Sequence, residues 1–136
     1  MDRGHRPVLL EEAIAALMVS VDGTYVDGTF GRGGHAARIL ECLSPRGSLL
    51  TLDQDPEAAA VAELMCANDN RMRFRSTNFR ALGDCLAPGS VQGVLLDLGV
   101  SSPQLDNPAR GFSFSHDGPL DMRMDPEGGQ SAADWL

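Results

Sequence analysis

Basic residues are scarce in this chain. Only 11 Lys and Arg face 19 Asp and Glu over 136 residues, a formal net charge of −8. A general adhesive for nucleic acid or for an anionic membrane depends on clustered cations, so that class is excluded, and any RNA contact has to be local. Cysteine is sparse too. Cys42, Cys66 and Cys85 stand far apart with no C-x-x-C pair, which argues against a zinc site or a disulfide framework and for small core residues in a reducing compartment. No apolar stretch reaches membrane-spanning length, and the opening residues Met1 to Arg6 lead into no hydrophobic signal segment. A cytoplasmic location is expected. Internal repeats and low-complexity tracts are missing as well. What is present, 43% hydrophobic and 22% charged residues, is ordinary globular composition sufficient for about one domain.

The most informative stretch runs Tyr25-Val26-Asp27-Gly28-Thr29-Phe30-Gly31-Arg32-Gly33-Gly34-His35. A β-prone run ends in an acid, and a glycine-rich turn then opens an alanine-rich helical pattern. Glycines at 31, 33 and 34 let the chain turn sharply and bring backbone N–H groups close to a ligand. Leu49-Leu50-Thr51-Leu52-Asp53 reads as the next buried strand, again with a carboxylate at its end, placed to accept ribose hydroxyls. On its own the glycine turn is also compatible with simple strand–helix geometry; the pairing with Asp53 favours a nucleotide cofactor. No Lys follows Gly33-Gly34, so a phosphate-gripping loop of the GxxxxGK[ST] type is excluded. Dinucleotide binding stays open, although the turn does not spell G-x-G-x-x-G. Asp27 would repel a pyrophosphate and suits a cationic ligand or an amino group. S-adenosyl-L-methionine carries both a sulfonium and an α-amino group.

Along the rest of the chain, strands and helices alternate. Leu10, Ile14, Leu17 and Met18 have helical spacing, with Pro7 fitting a first turn. A strand is expected over about 24–28, then a helix with Ala36, Ile39, Leu40 and Leu43 on one face, broken by Ser44-Pro45-Arg46-Gly47. Asp55-Pro56 starts another helix through Ala58, Val61, Ala62 and Met65. Met72 and Phe74 alternate with Arg71, Arg73 and Arg75, the pattern of a sheet edge. Phe79 follows that strand and is placed either to lie against an adenine or to join the core. A short helix over 80–86 and a fourth strand over 91–98 complete the series. The alternation implies parallel strands joined by right-handed crossovers, a Rossmann-like α/β sheet with helices on both faces, and ligands then sit beyond the strands' carboxyl ends. Asp27, Asp53, Phe79 and Asp97 all fall there.

After Asp97 the pattern is lost. Val100 to Asp106, Arg110-Gly111-Phe112-Ser113-Phe114 and Asp117 to Asp125 make up a long polar segment without a clear period; such loops are usually functional or mobile. Arg110, Arg123, Phe112 and Phe114 offer charge and aromatic surface of the kind that stacks unpaired RNA bases. The same residues serve equally well as anchors of a folded loop. Ser131-Ala132-Ala133-Asp134 reads as a capping box, so a helix is expected to begin where the sequence stops, as in a chain cut short.

These residues resemble the bacterial small-subunit ribosomal RNA methyltransferases of the H (MraW) type. The resemblance runs from His5 onward and rests on His5-Arg6-Pro7-Val8-Leu9-Leu10, on the Tyr25–His35 stretch, and on the run from Asp97 through Gln104-Leu105-Asp106 to Asp125. It implies a class I methyltransferase fold, S-adenosyl-L-methionine as cofactor, and transfer of methyl to the exocyclic N4 of a cytidine in the decoding region of 16S rRNA within the small subunit. Gly33, Gly34, His35, Asp53, Phe79, Asp97 and Gln104 match the family's cofactor contacts, and the local chemistry adds Asp27. Thr29 stands where the general acid-x-G-x-G-x-G pattern has its first glycine, a variant the family shares. Asp97 is the expected catalytic acceptor, with Ser101 and Ser102 as secondary acceptors or merely backbone-bonding serines. His35 is a proton acceptor or, at a helix start, a packing residue near the cofactor carboxylate. By this resemblance residues 1–109 are the first part of the cofactor-binding core, and 110–136 are a loop and the start of an inserted substrate-recognition domain. The later sheet strands of the family are absent, so an inert cofactor-binding fragment, or a nicotinamide-binding Rossmann domain, stand as rival expectations.

Overall fold

The computed structural model describes residues 9–99 and 102–136, except for the side chain of Ser102. The expectations attached to His5 to Val8 and to Ser101 and Ser102 therefore lie outside the described residues or side chains. The chain divides into two compact units, Met1–Asp97 and Leu98–Leu136.

The first unit is a parallel sheet of four strands, β1 (Thr24–Asp27), β2 (Ser48–Asp53), β3 (Met72–Ser76) and β4 (Gly93–Leu95), in the order β3-β2-β1-β4. Between them lie α1 (Leu10–Leu17), which precedes the sheet, α2 (Gly34–Cys42), α3 (Pro56–Asn68), and a 3₁₀ turn (Phe79–Ala81) running into α4 (Leu82–Cys85). The chain builds outward from β1 to β3 and then returns to the other side of β1. That reversal opens a crevice at the carboxyl ends of β1 and β4, the place where open α/β sheets bind ligands.

Strand register explains which residues are buried. Thr51 pairs with Phe74 and Leu49 with Met72, while Leu50 pairs with Arg73 and Leu52 with Arg75, so each set shares a face. The first face carries Tyr25, Leu49 and Met72 under Ile14, Ala36, Ile39, Leu40, Ala58 and Ala62, that is, under α1, α2 and α3. The second carries Val26, Leu50 and Leu52, packed among the described residues against the partly buried Leu82, Cys85, Leu86 and Val91. Its cover is thin. The three cysteines are free and half-buried, packed at the margins of these two clusters.

Local signals hold where they have a mechanism. The Asp55 carboxylate accepts from Glu57 N at 2.9 Å and Pro56 occupies the first helical position of α3. The expected fourth strand over 91–98 is shorter, because among the described residues it pairs only with β1, which has four residues. Pairing starts with Gln92 N to Thr24 O and ends with Gly28 N to Leu95 O, and among the described residues no strand pairs with Leu96 onward.

The second unit holds α5 (Ser102–Asp106), a 3₁₀ turn (Pro108–Arg110) and α6 (Ala132–Trp135), whose Ser131–Asp134 capping box forms as expected. The long polar segment between them folds on itself. Arg110 is buried and donates to the carbonyls of Arg123 and Met124 at 3.3 and 2.8 Å, Met122 N donates back to Arg110 O, and Arg123 is paired with Asp121 at 2.8 Å. Phe112 is buried whereas Phe114 is fully exposed.

Candidate functional site

Three strand ends carry the acids. Asp27 closes β1, Asp53 closes β2, and Asp97 follows β4. Asp27 is completely buried. Its Oδ1 accepts from Thr29 N at 3.0 Å and from the Thr29 hydroxyl at 3.4 Å, while its Oδ2 is buried with no hydrogen-bond partner. Burial pushes this carboxyl up to about 7; the Thr29 hydrogen bonds oppose the rise, and the neighbouring charges of Asp53 and Asp97 add to it. An orphaned buried oxygen costs about 1–3 kcal/mol until a donor reaches it.

Asp53 shapes the glycine turn. Its Oδ2 accepts from Gly31 N at 2.8 Å and its Oδ1 from Asp55 N at 2.9 Å, which joins the loop after β1 to the start of α3. Each oxygen keeps a second lone pair for a ligand hydroxyl. Gly33, at φ +87°, caps α2 without a side-chain hydrogen bond, leaving the helix's first N–H groups to an incoming acceptor. A Cβ here would meet Met65 Sδ at 2.8 Å and the Phe30 ring at 2.9 Å, so the close turn requires glycine. Gly34 and His35 are the first two residues of α2.

His35 is buried, with Nδ1 3.9 Å from Asp97 Oδ2. That is ion-pair range for a protonated ring and too long for a hydrogen bond. Asp97 itself is exposed, and its N–H donates to the Thr29 hydroxyl at 2.7 Å. Thr29 therefore bridges the ends of β1 and β4. The sequence marked it only as a replaced glycine; a short hydroxyl two residues past a strand-end acid was the available signal. Phe79 is exposed on the 3₁₀ turn, and a Cβ on Gly28 would lie 3.2 Å from its Cβ. Asn78, beside it, reaches Gln54 after β2. Asp27, Gly33, Gly34, His35, Asp53, Phe79 and Asp97 thus gather at one edge of the sheet. Gln104 is buried in α5 of the second unit.

This set fits a nucleoside carrying a positive charge. Asp27 offers an acceptor in need of a donor, Gly33 a backbone cradle, and Asp53 a carboxylate for hydroxyls. Among the described residues no group of His, Cys, Asp and Glu is placed to hold a metal ion, and no helix is long and apolar enough to cross a membrane.

Residues 2–136 match the model of the MraW methylase family. The chain belongs to that family. It is 60% identical to the ribosomal RNA small subunit methyltransferase H of Thioalkalivibrio sulfidiphilus over 97% of its length and 43% of that protein. To the protein of the same name from Xanthomonas axonopodis it is 58% identical, over 97% of this chain and 39% of the other. The chain therefore spans about two fifths of the length of these curated relatives. A solved geranyl diphosphate methyltransferase in complex with SAM superposes with a TM-score of 0.53 over 76% of this chain and 43% of that one, at 18% identity. At that identity the likeness speaks for the Rossmann-like fold alone.

Proposed function

We propose that this chain is the cofactor-binding part of an S-adenosyl-L-methionine-dependent methyltransferase acting on the exocyclic N4 of a cytidine in the decoding region of 16S rRNA. The observation that carries the cofactor is the buried Asp27, whose unpartnered oxygen faces a need for a donor at the switch point of the sheet. An α-amino group meets that need, and a pyrophosphate does not, which disfavours a nicotinamide dinucleotide. The substrate rests on family membership and on relatives named as small-subunit rRNA methyltransferases.

When bound, the cofactor supplies an electrophilic methyl on a sulfonium. The chain's residues bind and orient. Asp27 would accept from the amino group, the N–H groups at Gly33, Gly34 and His35 would receive the carboxylate, Asp53 would accept from ribose hydroxyls, and Phe79 would hold the base. Gln104 is carried over from the family resemblance as a further cofactor residue. In-line transfer demands that nucleophile, carbon and leaving group be aligned, so positioning supplies most of the rate. The N4 lone pair of cytosine is delocalised into its ring. Asp97, exposed at the end of β4, accepts from the amine N–H and so restores electron density on nitrogen. A cytidine within folded RNA has to be unstacked to reach it. The substrate is the small subunit in the cytoplasm, and residues 110–136 begin its recognition domain.

The test is nucleoside mass spectrometry of small ribosomal subunits incubated with S-adenosyl-L-methionine and either this chain or a chimera carrying the remainder of the 60%-identical relative. N4-methylcytidine is expected with the chimera, and with the chain alone only if its unit suffices. A methyl on another base would overturn the assignment.

A further inference from the structure

The sequence contains no lysine, so all 11 of its basic residues are arginines. Most described ones have visible engagements. Arg38 pairs with Glu11 and Glu41, Arg46 with Asp22, Arg71 with Asp69 and Arg123 with Asp121, while Arg110 is spent on backbone carbonyls. Arg73, Arg75 and Arg80 are different. All three are exposed, and among the described residues none has a carboxylate within ion-pair distance.

Their placement is not scattered. Arg73 and Arg75 stand two apart on β3, about 6.6 Å along the strand, and register with Leu50 and Leu52 puts both on the thinly covered face of the sheet. Arg75 Nη1 lies 3.6 Å from Cys85 Sγ, which sets its guanidinium against α4. Arg80 follows on the turn that carries Phe79, its backbone held by Asn78 Oδ1 at 3.0 Å. β3 is the outermost strand of the sheet. A groove of about 570 Å³ has Arg73, Arg75, Cys85, Glu63 and Cys66 in its lining. From Arg73 to Arg80 the chain thus runs along β3 into the turn past its carboxyl end, which also carries Phe79.

A chain of net charge −8 repels a polyanion at long range, so a phosphate-binding surface on it has to be a local cluster of unneutralised cations. Guanidinium groups suit phosphate oxygens better than any other side chain because two donors can engage at once. We infer that Arg73, Arg75 and Arg80 form a docking strip for the phosphate backbone of the RNA substrate. This rests on the RNA methyltransferase reading above and adds the surface that holds the strand outside the crevice.

The experiment follows binding of a fluorescein-labelled single-stranded RNA oligonucleotide by anisotropy across a salt series, for the parent chain and for the triple variant Arg73→Gln, Arg75→Gln, Arg80→Gln. Each neutralised phosphate of a single strand adds about 0.7 to the slope of log affinity against log salt, so the triple variant is expected to lose about 2. The triple Lys variant keeps the charges and should keep the slope. Arg46→Gln, at the amino end of β2, should leave it unchanged. Calorimetry with S-adenosyl-L-methionine on the triple Gln variant reports folding and the cofactor site separately, and unchanged cofactor binding is expected. An unaltered slope in the triple Gln variant, an equal loss in the Lys variant, or no RNA binding by the parent chain would each overturn the strip. Absence of cofactor binding by the parent would instead overturn the reading on which it rests.

Discussion

Asp27 is the residue on which the site turns. Because its folded value is raised to about 7, the native chain holds a proton that the unfolded chain has already released above about 4. Its contribution to stability is therefore full below about pH 4 and is lost as pH rises toward 7, by up to about 1.4 kcal/mol per unit. Thermal melts at pH 5 and pH 8 should show the advantage of Asp27→Asn over the parent widening at the higher pH; a constant gap would contradict the buried, protonated acid. A cationic ligand reverses the preference, since it needs the ionised form. Cofactor affinity of the parent is expected to rise about fivefold from pH 6 to pH 7, as the ionised fraction of a group titrating near 7 does, and that of Asp27→Asn to stay flat by calorimetry. The sequence showed that an acid closes the first strand and that it suits a cation. It could not show the orphaned oxygen, which depends on what packs around the strand end, or that Asp53 already spends one acceptor site on Gly31 and one on Asp55.

Between elements, two side chains hold the site's frame. The Tyr25 hydroxyl, on a fully buried ring of β1, accepts from Val19 N and Ser20 N at 3.1 and 2.9 Å and donates to Ser20 O at 2.8 Å, fastening the turn after α1. Tyr25→Phe leaves these groups unmet and should cost about 1–3 kcal/mol in urea unfolding. Thr29 ties β1 to β4 through Asp97 N. Thr29→Val keeps the shape and loses the hydroxyl, so hydrogen exchange at the Asp97 amide should speed up at least tenfold while the amides of β2 keep their protection. Most elements were legible because apolar runs ending in acids, and Asp55-Pro56, have direct mechanisms. The shortness of β4 was not, since a strand's length is set by its partner and not by its own residues. The segment after Asp97 was not either: its order comes from Arg110 binding distant carbonyls, which leaves no periodic trace.

At the scale of the whole molecule, an acidic chain of the MraW methylase family sets three of its 19 acids at or just past strand ends and, among the described residues, leaves Arg73, Arg75 and Arg80 without an ion pair. The acids at the strand ends repel a polyphosphate and accept a cationic nucleoside, so the account stands or falls on cofactor binding. Isothermal calorimetry of the 136-residue chain with S-adenosyl-L-methionine and S-adenosylhomocysteine, beside NADH, tests it most directly. Binding of the first two, indifference to NADH, and at least a tenfold loss with Asp53→Ala are the predicted results. A folded chain that takes up neither sulfur nucleoside, or that binds NADH in their place, would contradict the account.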